Sequence, residues 1–582
     1  MEASTARVLR RIDVGMGAAA LLALASLVVE RGFAPPAEVR AAARMLEMAC
    51  VVCFVGLQVA KLAAVESPLA YLRSHRLDFV LFVLLACQAV VHVGLTGSPE
   101  ARWLRERGVS SPLLRLYVAM LQVYLLVIVV ERTHLVNRVL LRLRLRPVQL
   151  LVVSFLVLIA IGTVLLALPE ASRDGRSIGA IDAFFTATSA VCVTGLVVRD
   201  TGTQFTALGV SVLAVLIQAG GLGMLTVTAA LALLARAPIG PVESAALEVE
   251  GLAPLRRLLR RVLVVAFSCE LAGAALLYAC FGGVLADPLR RAGWALFHAV
   301  SAFCNAGFAL FPRNASLTAF SGHAGTLLVV AALIVLGGLG FPVLAELSRR
   351  IASRLAGRPL RPLRRSTRLV LGWTLGLIAI GAVLLWVFER ERSLAASGAG
   401  VVWDALFQSV TLRTAGFNSV DLALFGTPAV VLSIVWMLVG AAPGGTAGGM
   451  KVTTIATIAR ALFARRIASP RLLHAALPVV AGFLAAFVLV TAAVCLLERR
   501  FDGALAFESA SALGTVGLSI GSTAALSTPT KLVLCLAMFA GRVGPLVLVA
   551  ALFPRGAALV AGFAEERDAA ARGNRGEPER AA

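Results

Sequence analysis

Four short segments of this 582-residue chain share a pattern that could coordinate a metal cation through the backbone. Each begins with a phenylalanine, continues through small or weakly polar residues, and reaches a glycine nine or ten residues later. Glycine permits the positive φ angles that turn successive carbonyl groups to one side, and a ring of carbonyl oxygens can replace the water shell of an alkali cation. The four glycines are Gly195, Gly307, Gly416 and Gly517.

The spacing of these glycines, 101 to 112 residues, indicates an internal repeat. One such segment is more often a close helix contact than a functional site, but four in the same register favour a site. The repeated unit is a helix, a short helix, a glycine loop and a second helix. The short helix would direct the negative end of its dipole at the loop, which favours a cation there.

The composition places these units in a membrane. The chain is 59% apolar and 15% charged, whereas soluble domains are about 45–50% apolar and about 25% charged. A net charge of +22 would suggest a nucleic-acid partner in a soluble protein. The uncharged stretch 208–234 excludes that class, so we predict a polytopic membrane protein with no nucleic-acid partner. At membrane depth, non-helical backbone is tolerated only where it lines a cavity or is buried in protein.

A membrane helix needs about 20 mostly apolar residues, and twelve runs approach this. The loop after residue 348 carries eight arginines and no acid, and arginines also follow residues 255 and 459. By the positive-inside rule these loops and both termini are cytoplasmic, so the glycine segments face outward. The runs are 13–30, 41–62, 77–96, 111–131, 149–168, 206–235, 260–284, 324–348, 368–389, 427–459, 476–498 and 530–553.

The predicted fold is an all-α polytopic membrane protein with four covalently linked helix, pore-loop, helix repeats around a central pore, preceded by about four extra transmembrane helices. The predicted divisions are an N-terminal transmembrane extension (1–146), repeats 1 to 4 (147–240, 241–355, 356–468 and 469–556) and a cytoplasmic tail (557–582).

Two features interrupt the apolar runs of the later repeats. Between residues 439 and 451, Pro443 and several glycines break the helix in mid-membrane, because proline removes a hydrogen-bond donor and glycine disfavours the helix. A phosphate-binding loop is not expected, because Lys451 does not directly follow the last glycine. Arg542 lies inside the run 530–553, where a charge costs at least about 2.5–3.5 kcal/mol and must face a cavity or a partner.

The glycine segments, the string 413–418 (RTAGFN), the string 444–451 (GGTAGGMK) and the string 539–545 (FAGRVGP) together resemble the Trk/Ktr/HKT superfamily of potassium transporters. The later repeats are most similar to the bacterial Ktr-type membrane subunit. The resemblance covers residues from about 147 to 556 and leaves the first 146 outside it, except as extra helices of the kind some Trk subunits carry.

The resemblance implies a selectivity filter that binds K⁺ through the carbonyls of the four glycines, with some Na⁺ leakage. It also implies that the broken segment is an intramembrane gating loop under the filter. We expect Arg542 to hydrogen-bond this loop and hold the pore closed; the alternative is a structural ion pair with Glu508 or Glu270. The filter positions are Thr194, Gly195, Asn305, Ala306, Gly307, Thr414, Ala415, Gly416, Thr515, Val516 and Gly517, and the gate positions are Gly444, Gly445, Thr446, Gly448, Gly449 and Arg542.

The same resemblance implies K⁺ uptake across the bacterial cytoplasmic membrane by a homodimer, with a separate cytosolic nucleotide-binding regulatory ring and membrane lipid as partners. No cofactor is expected on this chain beyond the transported ion, K⁺ or Na⁺, and coupling to Na⁺ or H⁺ stays open. The alternatives are a secondary transporter of another small solute and a non-selective monovalent cation channel. A membrane enzyme is disfavoured because the six histidines are scattered. The first block lacks the regularly spaced arginines of a voltage sensor, so we expect a scaffold or dimer contact.

Overall fold

The computed structural model describes residues 147–235, 252–359, 362–463 and 470–545, together with scattered helical positions between 15 and 60. The chain divides into two compact units, Met1–Arg144 and Leu145–Ala582. Apart from those scattered positions, the extension predicted over 1–146 lies outside the described residues, and so does the tail predicted over 557–582.

The described part of the second unit is built from helices, and its only β contacts are the isolated bridges Ser172 to Phe205 and Val439 to Met450. Helices of more than one turn are numbered here in chain order. They are α1 (Pro147–Ala167), α2 (Ala180–Val191), α3 (Ala207–Ala235), α4 (Leu252–Cys280), α5 (Pro288–Phe303), α6 (Ala324–Gly338), α7 (Phe341–Leu355), α8 (Arg365–Glu389), α9 (Val401–Thr411), α10 (Thr427–Leu438), α11 (Val452–Phe463), α12 (Pro470–Glu498), α13 (Gly503–Gly514) and α14 (Thr528–Val543).

One order of elements recurs four times along the described residues. A long helix (α1, α4, α8 or α12) packs on a short helix (α2, α5, α9 or α13), and a glycine loop then leads to an outgoing helix. The outgoing element is α3 in the first segment, α6 with α7 in the second, α10 with α11 in the third and α14 in the fourth. Each glycine loop therefore starts from the carboxyl end of a short helix.

Local sequence signals account for where several of these helices begin. The Asp287 side chain accepts a hydrogen bond from the Leu289 amide at 3.0 Å at the start of α5, and Asp502 does the same for Leu505 at 2.8 Å at the start of α13. Such caps satisfy amides that have no partner inside the helix. Helices α10 and α14 both open with Thr-Pro, because proline fits the first turn, where its missing donor is not needed.

Apolar helices long enough to cross a membrane are present among the described residues. Three single helices qualify by length and composition, Arg260–Gly283, Arg365–Glu389 and Ala476–Glu498, and the pair α6 and α7 qualifies together. In each single helix no more than 28% of the most apolar window is buried inside the protein. Their outer faces are therefore apolar and exposed, as lipid contact requires.

The second outgoing helix differs from the sequence prediction. The run 324–348 was expected to be continuous, but α6 and α7 meet at a bend of 111°. Gly340 takes a φ of +83° at the bend, and Pro342 lies in the first turn of the next helix. A related string ends α14, where Gly544 has a φ of +97° and Pro545 follows. Arg542 consequently lies in the last turn of α14.

The core lies around the four short helices. The phenylalanine that opens each glycine segment is buried, with 4% exposure at Phe297 and 1% or less at Phe185, Phe407 and Phe507. Burial of a phenylalanine side chain stabilises a fold by about 1.5–3 kcal/mol. The buried phenylalanines of the repeat thus hold the short helices in the core.

Candidate ion-coordinating loops and gate loop

The four glycine loops share one backbone conformation. The glycines have φ values of +95°, +70°, +81° and +91° at Gly195, Gly307, Gly416 and Gly517. The residue two places before each glycine also has a positive φ, between +51° and +70°. These residues are Val193, Asn305, Thr414 and Thr515. A left-handed residue followed by a left-handed glycine turns the chain sharply away from the short helix.

The loops adjoin one another in chain order and close into a ring. A methyl group built on Gly307 would lie 2.8 Å from the Ala415 carbonyl oxygen and 2.8 Å from the Gly416 Cα. A methyl on Gly517 would collide with the Thr194 carbonyl oxygen and lie 2.8 Å from the Gly195 Cα. The other two loops repeat this relation, from Gly195 to the Ala306 carbonyl and from Gly416 to the Val516 carbonyl.

This arrangement explains why glycine occupies all four places. Each glycine lies against the carbonyl oxygen that precedes the glycine of the following segment, and Gly517 lies against that of the first, so a side chain at any of them would meet backbone. Carbonyl oxygens from four segments consequently converge in one small volume. Oxygen ligands of this kind suit hard cations such as alkali ions and need no acidic side chain.

Hydroxyl groups in the short helices hold three of the loops. The Ser189 hydroxyl accepts from the Gly195 amide at 3.0 Å, and Ser511 does the same for Gly517 at 3.0 Å. In the second segment Ser301 donates instead to the Phe308 carbonyl at 2.8 Å. The third segment has Val410 at this position, so its loop depends on other contacts.

The predicted filter side chains do not all point the same way. The hydroxyls of Thr194, Thr414 and Thr515 are buried without a hydrogen-bond partner in the protein, which leaves them available to an ion or to water. The Asn305 amide donates to the carbonyls of Ala302 and Ile334, both at 3.1 Å, so its side chain binds α5 and α6 and not the ring. Only the backbone of Asn305 belongs to the ring.

The predicted gate loop connects α10 to α11 and leans on the bend between α6 and α7. The Ala442 amide donates to the Gly338 carbonyl at 3.0 Å, and the Thr446 amide donates to the Gly337 carbonyl at 3.1 Å. The Phe341 amide donates back to the Gly444 carbonyl at 3.0 Å. Two interrupted outgoing elements therefore satisfy each other's free backbone groups, which broken helices in a membrane require.

The loop also touches the glycine ring. A methyl on Gly448 would collide with the Thr515 hydroxyl, and the Thr446 hydroxyl donates to the Phe303 carbonyl at 3.1 Å. Gly445 approaches the carbonyls of Gly337 and Gly338. The structure thus brings the predicted gate glycines and Thr446 beside the carboxyl ends of two short helices.

Arg542 joins this loop to the first segment. Its guanidinium donates to the Thr446 carbonyl, to the Gly220 carbonyl at 2.5 Å and to the Gly221 carbonyl at 3.4 Å, and the residue is 2% exposed. Charge-assisted bonds of this type contribute about 1.5–3 kcal/mol each. Because α14 carries Arg542, one side chain ties the first, third and fourth segments together.

The acids considered as alternative partners of Arg542 bind elsewhere. Glu508 accepts from the hydroxyls of Ser519, Ser522 and Thr523 at 2.6, 3.0 and 2.6 Å. Glu270 accepts from the Gln218 amide at 2.9 Å. In the described residues Arg542 is bound by backbone carbonyls, which spread its charge without neutralising it.

A second buried arginine, which the sequence patterns did not single out, lies in the string 413–418. Arg413 is 6% exposed and donates to the Gly440 carbonyl at 3.3 Å and to the Thr374 carbonyl at 3.4 Å. It therefore holds the entrance of the gate loop, whereas Arg542 holds its middle. The signal in the sequence is a charge three residues before the glycine of a repeat, Gly416.

An ion pair closes the ring of segments on the side of the short-helix starts. Asp182 of α2 accepts from Lys531 of α14 at 3.1 Å and from Arg199 at 2.7 Å. The Asp182 and Lys531 side chains are 11% and 13% exposed. The pair links the first segment to the fourth, which are farthest apart in the chain.

We predict that Lys531→Met lowers stability without altering ion selectivity. Asp182 keeps its bond to Arg199, so the cost should be about 1 kcal/mol, a few degrees in Tm. Thermal unfolding of the detergent-solubilised protein measures this. Arg500→Met, which removes an exposed pair at 3.6 Å with side chains 49% and 40% exposed, is the control and should change Tm less. An unchanged Tm for Lys531→Met would contradict the proposed closure.

Comparison with known proteins agrees with this arrangement. An apolar helical chain whose buried loops present carbonyl oxygens has the character of a membrane protein that handles cations. Residues 119–558 match the TrkH family model, described as a cation transport protein, and the chain belongs to this family. The predicted membership of the Trk/Ktr superfamily is confirmed, and with it the expectation of a membrane transporter rather than an enzyme.

Individual relatives give the same family. The chain is 37% identical over 429 residues to the Ktr system potassium uptake protein B of Vibrio alginolyticus, covering 69% of this chain and 90% of that protein. It is 34% identical over 438 residues to the potassium/sodium uptake protein NtpJ of Enterococcus hirae, covering 71% and 94%.

A solved structure supports the fold. The crystal structure of the potassium transporter TrkH from Vibrio parahaemolyticus is similar with a TM-score of 0.55 and 20% identity, over 82% of this chain and 96% of that chain. At this identity the comparison establishes the fold, an all-α membrane architecture, and nothing about the ion.

Proposed function

We propose that this chain takes up K⁺ across the bacterial cytoplasmic membrane through a filter formed by the four glycine loops. The single observation that carries the proposal is the ring in which each glycine lies against the carbonyl that precedes the glycine of the following segment. The filter ligands are the carbonyls of Gly195, Gly307, Gly416 and Gly517 and of the residues before them, and the four short helices add the negative ends of their dipoles.

The gate in this proposal is the loop 439–451. It lies beside the ring through the contact of Gly448 with Thr515, and Arg542 fastens it to the Gly220 carbonyl. Breaking the bonds of Arg542 loosens the middle of the loop, which then keeps the backbone bonds to the bend between α6 and α7 and the bond from the Thr446 hydroxyl to Phe303, while Arg413 still binds Gly440 at its start. K⁺ entering from outside then passes the filter before it reaches the loop.

The proposed assembly is a homodimer in lipid with a separate cytosolic nucleotide-binding ring. The relatives named as protein B of a Ktr system are by that name one component of several. Arg349 and Arg354 of α7 lie at its exposed, predicted cytoplasmic end and could provide docking charge. Both termini are proposed to be cytoplasmic.

Growth of a bacterium that lacks its own K⁺ uptake systems tests the function. Expression of the chain with its regulatory partner should restore growth at low external K⁺, and uptake of radioactive Rb⁺ by the same cells should rise at least about tenfold. Repeating the assay with and without Na⁺ reports coupling. Rescue that fails with every regulator supplied would contradict the proposal, and equal uptake of Rb⁺ and Na⁺ would favour a non-selective monovalent cation channel.

A further inference from the structure

A cavity of about 770 Å³ lies between α3, α4 and α5 and is not used by the proposed ion pathway. Its lining follows α3 from Ala207 to Gln218, a distance of about 16 Å at the helical rise of about 1.5 Å per residue. Arg173 and Arg290 line it at the level of the outer loops. Most of the lining is apolar, but Glu270 and Gln218 line it at the level of the glycine ring.

Glu270 is an unusual residue at this depth. It lies inside the membrane-crossing helix Arg260–Gly283 and is 1% exposed. Its recorded contact is the bond from Gln218 Nε2 to Oε1 at 2.9 Å, and no cation of the described residues forms an ion pair with it. A carboxylate at membrane depth without a counter-charge is costly, and intramembrane acids of this kind commonly bind protons or ions.

The charged and titratable groups around Glu270 do not supply that counter-charge. Arg291 donates to the Tyr278 hydroxyl at 2.9 Å, and both ring nitrogens of His298 are engaged by backbone. No charged side chain lies on α3 over 207–223 or on α6. Among the described side chains, the charged and titratable groups on α4 and the elements packed against it fall into three sets. They are Arg260, Arg261, Cys269, Tyr278 and Cys280 on α4, Arg290, Arg291, His298 and Cys304 on or directly after α5, and Glu346, Arg349, Arg350 and Arg354 on α7.

Gln218 connects Glu270 to the gate. It stands two residues before Gly220, whose carbonyl accepts from Arg542 at 2.5 Å, and Arg542 also donates to Thr446 in the gate loop. The Gln218 Oε1 accepts from the Cys304 thiol at 3.6 Å, next to Asn305 of the second glycine loop. One amide therefore contacts the acid, the second loop and the helix turn that anchors Arg542.

We propose that Glu270 is a proton-binding site that controls how firmly Arg542 holds the gate loop. The inference rests on the proposed function. The ionised carboxylate only accepts, so it binds the Gln218 Nε2 and keeps the Gln218 oxygen on the Cys304 thiol, which favours the closed loop. A proton arriving from outer water through the cavity forms a carboxyl group whose hydroxyl is a donor; when the Gln218 amide turns to accept from it, Cys304 is released. The proton returns to water by the same route.

Rb⁺ flux into proteoliposomes at equal pH on both sides tests this, because equal pH removes any driving force from protons. Wild-type flux should be about fivefold higher at about pH 5.5 than at about pH 8.5. Glu270→Gln should show the higher flux at both pH values. Gln218→Leu, which removes the connecting amide, should also lose most of the pH dependence; size-exclusion chromatography confirms that each variant is folded.

Glu389→Gln is the matched control. Glu389 is also buried at 0% exposure in the first helix of its segment, but it accepts from the Gly426 amide at 2.8 Å and from the Ser393 hydroxyl at 3.0 Å, away from the gate. It should keep the wild-type pH ratio. A wild-type ratio in Glu270→Gln, or equal wild-type flux at both pH values, would overturn the inference. No wild-type flux at any pH would overturn the proposed function itself.

Discussion

Gly517→Ala should abolish selective K⁺ uptake while leaving a folded protein. The new methyl group would collide with the Thr194 carbonyl oxygen and lie 2.8 Å from the Gly195 Cα, at a residue whose φ is +91°. Neither neighbour can yield, because both are backbone of the adjoining loop. We expect Rb⁺ uptake to fall at least about 100-fold, equivalent to about 2.7 kcal/mol on the barrier, or the ratio of Rb⁺ to Na⁺ uptake to collapse toward one.

Gly521→Ala provides a close control four residues away. Gly521 has a φ of +95°, but a methyl group built on it meets nothing within 4 Å. The two substitutions therefore share the backbone strain of alanine at positive φ, about 1–2 kcal/mol, and differ in the collision with the ring. Gly521→Ala should lower Tm by a few degrees and keep selective uptake. If both variants transport K⁺ selectively, the glycine loops are not the filter.

The four glycine loops could be predicted from the sequence because a glycine marks a position where the backbone needs a positive φ or a close approach. A residue that must adopt positive φ against a neighbouring carbonyl has no alternative to glycine, and the aromatic nine or ten residues earlier marks the buried short helix. The register of Gly195, Gly307, Gly416 and Gly517 was therefore readable without coordinates, as was the break around Pro443.

Contacts between segments could not be predicted from the sequence, because they depend on how the repeats pack. The bend at Gly340 lies inside the continuous apolar run 324–348, which gave no sign of it. Its sequence from Gly337 to Pro342 nevertheless resembles the end of α14 from Gly541 to Pro545. Lys531 gave no sign in the sequence that Asp182, 349 residues away, is its partner. The carbonyl partners of Arg542 are backbone groups, which no pattern of side chains identifies.

The outgoing elements explain how one arginine reaches the backbone of three segments. Gly220, Gly337 and Gly541 each pack directly against the carbonyl four residues before a loop glycine, on Val191, Phe303 and Leu513 respectively. Glycine at these places brings three outgoing helices tightly under three short helices. The third segment, in which the chain leaves the helix after Leu438, replaces that contact with the gate loop. Arg542, one residue after Gly541, is therefore placed where the loop and the first outgoing helix meet.

Arg542→Ala should accordingly raise K⁺ flux. Truncation removes the bonds to Thr446 and Gly220, each worth about 1.5–3 kcal/mol, so the closed loop loses enough stability to shift the open population by at least about tenfold. Arg542→Lys keeps the charge but cannot reach both carbonyls with a planar fork, and should give an intermediate flux. The assay is Rb⁺ uptake normalised to the amount of protein in the membrane.

The ratio of Rb⁺ to Na⁺ uptake distinguishes a released gate loop from a damaged filter. The ratio of Rb⁺ to Na⁺ uptake should stay at the wild-type value in Arg542→Ala, because the contacts among the four filter glycines do not involve Arg542. Arg291→Met is the control for loss of a partly buried guanidinium, since Arg291 binds the Tyr278 hydroxyl at 2.9 Å near the outer loops, and its flux should not rise. A fall in flux at unchanged protein amount would show that Arg542 supports the open pathway instead of holding it closed.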